Sequence, residues 1–230
     1  MTALAPRRKP RFLQHETVET IFGYAYAMLM VDVLLVVFNL PLAAMLFVTV
    51  DPLASWPFFL PLSLTLAPSL AGAFEVFRSL RQGPPRPFAA FWRGYRRRAG
   101  TAFVAGLATA VIVGLALFDA TVMAGTVWAP LLGPLLVVLS LGSVATTLFV
   151  VTGLVVFERA SLKAVAKASV FLAVRRWYFS LVALAMVGLI GTAVLMQPVV
   201  GAALAPGILL YAVFANAQYA FRRAVDDARA

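Results

Sequence analysis

Asp32 is the residue on which chemistry could turn. It is the only acidic side chain set well inside a long apolar run, with Glu19 and Asp51 as its nearest acidic neighbours in sequence. A carboxylate in such a place exchanges protons, binds a cation or anchors a strong hydrogen bond. Asn39 follows at i+7, so on a helix the two share one face and point into the same interior. No Lys or Arg stands within the surrounding apolar runs. Asp32 is therefore protonated, wetted by a cavity, or reached by a basic side chain snorkelling from a connection, such as Arg78. Three roles stay open at this point: proton or substrate handling, a structural hydrogen bond, and a boundary residue with no special duty. Glu75 and Arg78, at i, i+3, neutralise each other. Asn216, Gln218 and Tyr219, and likewise Ser143, Thr146 and Thr147, read as hydrogen-bonding groups between helices, worth about 0.6 kcal/mol each.

Most catalytic chemistry is excluded by what the chain lacks. It has no cysteine, hence no disulfide, thiolate metal site or thiol nucleophile, and one histidine, His15, in a polar stretch. There is no HExxH, GxSxG or Walker sequence. A paired-aspartate site needs two carboxylates at one depth, and Asp119 falls at the far end of its own run from Asp32. The expectation is a protein with no catalysis, metal or cofactor of its own.

The elements that position these residues follow from composition. Hydrophobic residues make up 63% of the 230 and charged residues 12%, against about 45–50% and about 25% in ordinary globular chains. Water is not the main solvent of such a chain. Stretches without any charged residue cover 33–50, 52–74, 99–118, 120–157 and 177–221. A bilayer core of about 30 Å takes roughly 20 residues of helix. The two longest stretches must each turn once, at Gly125 to Pro130 and at Gln197-Pro198 before Gly201. The reading is an all-α polytopic bundle of six spans in three hairpins, over 26–50, 56–80, 99–119, 131–157, 177–196 and 201–221. A basic tail and interfacial lead-in helix (1–25) precede it, and a short tail (223–230) follows. Strands are excluded by the lack of alternation and by lipid, which admits only helices or closed barrels.

Six spans also sort the charges. All 19 Lys and Arg fall in the two tails and in the connections after spans two and four, and none in the three opposite connections. The positive-inside rule then puts both termini in the cytoplasm of a cell carrying this chain in its plasma membrane. The net charge of +10 reads as orientation plus attraction to anionic head groups, and not as nucleic-acid binding. The first apolar run is too long for the core of a cleaved signal peptide. After span two, Phe88 through Arg98, and after span four, Ala160 through Arg176, combine apolar residues at helical spacing with arginine clusters. Both read as cytoplasmic amphipathic helices lying in the interface, or as docking elements for a membrane partner. Gly106, Ala110 and Gly114 form a close-packing ridge, Pro41 and Pro68 interrupt spans one and two, and the four tryptophans fit interfacial belts.

The stretch from Val31 to Pro41, with Asp32, Phe38 and Asn39, resembles the first-span motif of the YesL-like family of integral membrane proteins, in which Asn commonly occupies the position of Asp32. Ala67-Pro68 through Phe74, then Arg78, Gly83, Phe91-Trp92 and Tyr95, is similar to that family's most characteristic block. The resemblance covers most of the chain and is strongest over 31–98. Members often stand beside ABC-type carbohydrate uptake systems. The resemblance thus implies an accessory or regulatory subunit associated with such uptake and partnered by membrane transporter subunits. The alternative, from the residues alone, is a small transporter or channel whose own conducting path uses Asp32, Asn39 and Asn216.

Overall fold

The computed structural model describes residues 12–52, 54–82 and 86–227. Gly83, the basic tail over 1–11 and residues 228–230 lie outside the described residues. The elements are α1 (Phe12–Phe38), α2 (Leu40–Val48), α3 (Trp56–Leu62), a 3-10 turn (Ser63–Thr65), α4 (Leu66–Ser79), α5 (Pro87–Met123), α6 (Ala129–Val156), α7 (Leu162–Arg175), α8 (Trp177–Met196) and α9 (Pro198–Asp227). Six segments are long and apolar enough to cross a membrane: Ile21–Phe38, Trp56–Ser79, Pro87–Met123, Ala129–Val156, Trp177–Met196 and Pro198–Asp227. The chain is an all-α multi-pass membrane bundle, with no strand among the described residues. One end, here the basic end, carries every described Lys and Arg; the other end carries the connections 49–55 and 124–128 and Gln197.

Spans one and two are each broken within the bundle. Span one, expected as a single helix over 26–50, is α1 running unbroken from the lead-in, then Asn39, then α2. Pro41 has no N–H to give to the preceding turn, and at the break the Leu35 carbonyl accepts both the Asn39 backbone N–H at 3.1 Å and its side-chain Nδ2 at 2.8 Å. Span two is α3, the 3-10 turn and α4, with Pro61 inside α3 and Pro68 in the first turn of α4. The Ser63 and Ser69 hydroxyls donate back to Leu60 O and Thr65 O at 2.7 and 2.8 Å, taking up carbonyls near the break.

Three expectations about the connections need correction. The element over 88–98 is not a separate interfacial helix; it forms the first turns of α5, which continues to Met123. Gly94 and Gly100 do not stop it because no proline or left-handed residue follows them. Gly94 instead lets α5 approach α4, since a Cβ there would lie 2.8 Å from the Ala71 carbonyl oxygen. α7 is a separate helix as expected, capped by Ser161, whose Oγ accepts from the Ala164 N–H at 3.3 Å. Its apolar stripe of Val165, Ser169 and Leu172 is buried against the protein and not in the acyl boundary. The expected connection around 197–201 shrinks to Gln197 alone, because Pro198 starts α9 at the position where proline's missing N–H costs nothing. Gly125, at φ +81°, makes the turn between α5 and α6.

Each span packs against the next, and α9 returns to pack against α1. The closest pairing is α4 with α5, so spans two and three are joined more tightly than the first expected hairpin, spans one and two. Small residues set that order: Gly94 meets Ala71, Gly106 meets Ala67 and Gly114 meets Leu60. The core lies in the basic half, where Phe74, Phe77 and Phe214 meet at ring separations of 5.4–6.2 Å. In the opposite half α2 and α3 bury no residue, and burial in α6 begins only at Ala145.

Candidate functional site

Asp32 sits on the buried face of α1, 2% exposed. Its Oδ1 accepts the backbone N–H of Gly207 at 2.5 Å. α9 makes that contact possible through two adjacent residues. Pro206 lacks an N–H and its ring crowds the carbonyl four residues back, which disturbs the helix beside it. Gly207 has no side chain, so α1 can come close: a Cβ there would lie 2.7 Å from Met28 O and 3.0 Å from Asp32 Oδ2. The bond thus fastens the first span to the last.

Asn39 is also buried, at 4% exposure. While its amide nitrogen holds Leu35 O, its Oδ1 accepts the Thr65 hydroxyl at 2.7 Å. The break in span one is therefore tied to the break in span two. Asp32 and Asn39 share a face, as their spacing predicts, but serve different neighbours. Asn216 belongs to neither: its Nδ2 donates to Phe179 O at 2.9 Å, joining α9 to α8.

Arg78 does not reach Asp32. It pairs with Glu75 at 2.8 Å, as its spacing predicts, and also with Glu158 at 2.5 Å and Val155 O at 3.3 Å. Arg97 meets the other Glu158 oxygen at 2.8 Å, and Arg98 donates to the Glu158 carbonyl at 2.7 Å. The cluster ties α4, α5 and the connection after α6 together at the basic end. Hydrogen bonds from Arg78 and Arg97 hold the Glu158 carboxyl below the usual glutamate value of 4.5. Sequence reasoning passed over Glu158; its signal was a lone acid directly after an uncharged run and among basic residues.

Pro68, Phe91, Trp92 and Tyr95 take part in packing. Pro68 is buried in the first turn of α4. Phe91 is buried at 0% exposure. Phe38, the last residue of α1, lies 5.0, 5.9 and 4.8 Å from the rings of Phe91, Trp92 and Tyr95. Gly83 is outside the described residues. Among the described residues no group of three or more His, Asp or Glu could hold a metal ion.

Above the aromatic core, on the side away from the basic end, the spans enclose a cavity of about 440 Å³. Every span contributes to its wall, which is apolar except for Asn39, Ser63, Thr109 and Thr147. The two threonine hydroxyls bond to each other. A second hollow of about 270 Å³ lies between span one and the α8–α9 hairpin and includes Asp32. Sequence reasoning missed both hollows and also Pro206-Gly207, a pair of poor helix formers inside an apolar run that α9 nevertheless spans unbroken. Comparison with protein-family models, with curated proteins and with solved structures found no match.

Proposed function

We propose that this protein is an accessory or regulatory subunit of the plasma membrane, with both termini cytoplasmic. In this reading it works beside an ABC-type carbohydrate uptake system, has no catalysis of its own and binds no nucleic acid. One observation carries the reading. The polar side chains inside the bundle are engaged pairwise between spans, Asp32 with Gly207, Asn39 with Thr65 and Asn216 with Phe179. A conducting path for a sugar needs polar groups converging on one route, and these three point to three different neighbours. The orientation is supported by the basic end, whose cations attract anionic head groups by about 1 kcal/mol each near the surface. The resemblance to the YesL-like family over 31–98 supports the link to uptake. α7 offers the contact element: Lys163 and Lys167 are exposed on its first half, with Val170, Phe171 and Val174 beyond them.

The test is co-purification from native membranes in mild detergent. Transporter subunits travelling with the tagged chain, and lost when Phe171 and Val174 are both changed to Ser, are the expected result. Solute flux by the chain reconstituted alone, abolished in a normally folded Asp32→Asn variant, would overturn the reading and establish the conducting alternative.

A further inference from the structure

The cavity between the spans has a bottom, a wall and a side entrance. Leu35, Leu70, Leu148 and Leu210 line it toward the basic end and belong to the same packed core as Phe74, Phe77 and Phe214. Its polar lining groups are already satisfied: Asn39 by Leu35 O and Thr65, Ser63 by Leu60 O at 2.7 Å, and Thr109 and Thr147 by each other. A sugar or ion placed there would find almost no free partner, and burying its polar groups unpaired is costly. Water is no better suited, since an apolar cavity stays dry and accepts apolar molecules. The volume of about 440 Å³ is in the range of ligand sites that are largely preformed.

The entrance is the second hollow. It lies along the seam between span one and α9, and its wall includes Val33, Val37, Phe47 and Val199, which are 50–63% exposed on the lipid-facing side. Val36, Ala43, Leu46, Val194 and Ala202 line both hollows. Those five side chains are all that the two spaces share as a partition. The Asp32 to Gly207 bond pins the same seam nearer the basic end, so the opening has a fixed lower edge. Both spaces lie within the spans and, apart from the bonded Asp32 in the second and the four bonded polar side chains in the first, are walled by the same kinds of side chain that face the bilayer.

We infer that the central cavity is a binding site for one acyl chain of a bilayer phospholipid, which enters sideways through the seam between the first and last spans. The inference goes beyond the subunit reading and does not depend on it. The polar head stays in the interface outside the seam, and the chain fills the space above the aromatic core.

The test uses the full chain in proteoliposomes doped with a phospholipid that carries a photoactivatable diazirine near the end of one acyl chain, with adducts mapped by peptide mass spectrometry. Leu148 and Leu210 line the cavity and are 4% and 5% exposed, so surrounding lipid cannot reach them from outside. Val137 and Leu181, 56% and 53% exposed, serve as outward references. Adducts at both inward leucines are expected in the wild type. They should be lost in Ala43→Phe, which narrows the seam from α2, an element with no buried residue to disturb, while the outward adducts remain. Ala202→Phe narrows it from the facing wall and gives the second variant. Labelling confined to the outward residues in the folded wild type overturns the site. Inward adducts undiminished in a folded variant of either kind overturn the entrance.

Discussion

At the scale of single residues, the contact between Asp32 and Gly207 makes unequal demands on its two partners. Asp32→Asn keeps an acceptor for the Gly207 N–H and removes any cost of burying a charge, so folded yield and thermal stability in detergent should stay near wild type. Gly207→Ala should destabilise by about 1–3 kcal/mol, because the added methyl meets the Met28 carbonyl 2.7 Å away. A Gly207→Ala protein as stable as the wild type would remove the close approach from the account. Glu158 yields a pH prediction. Its pKa is depressed on folding, so its contribution is complete above 4.5 and is lost as pH falls through the lower folded value. The gap in melting temperature between wild type and Glu158→Gln should therefore be largest at neutral pH and close on acidification. Asp32 and Asn39 were legible in the sequence because polar residues in an apolar run are conspicuous. Their partners were not: one is a backbone N–H, which any residue but proline has, and the other is a threonine among many.

At the scale of elements, helix breaks and helix fusions are the two places where pattern and structure part. The sequence shows that Pro41 and Pro68 interrupt their spans, but not that the interruptions bond to each other through Asn39 and Thr65. Asn39→Leu removes both bonds of the amide, while the Leu35 carbonyl keeps the backbone N–H of residue 39 and the Thr65 hydroxyl keeps Leu62 O in reach at 3.0 Å. A loss of about 0.5–1.5 kcal/mol per hydrogen bond removed is expected in detergent unfolding, together with faster proteolysis just after α2 as its tie to span two is lost. Asn39→Asp should recover part of the loss by keeping the acceptor for Thr65. The fusion of 88–98 into α5 was hidden for a different reason. An arginine cluster after apolar residues marks a membrane boundary whether the helix ends there or continues, and here α5 runs through it unbroken from Pro87 to Met123. α7 was legible as amphipathic, yet periodicity does not say whether a stripe faces lipid or protein, and here it faces α6 and α9.

At the scale of the whole molecule, the number of spans and their arrangement about a basic end were legible, since charge and length are properties of composition. The ring that closes α9 onto α1, and the cavity inside it, were not, because they depend on which lipid-compatible faces meet. Reporter fusions test the orientation: those after Arg86 and Lys167 should report the cytoplasm, and those at Ala54 and Ala124 the outside. A cytoplasmic signal at Ala124 contradicts six spans of the proposed hand. The link between α8 and α9 carries a further consequence for biogenesis. Gln197 is the whole connection, closed by its N–H to Ala193 O at 3.0 Å and by Gly201 N–H to its own carbonyl at 2.7 Å. A link that short cannot be left stretched across a bilayer by one helix while the other waits. The last two spans must therefore leave the insertion machinery as one object, and an error in the direction of either is an error in both.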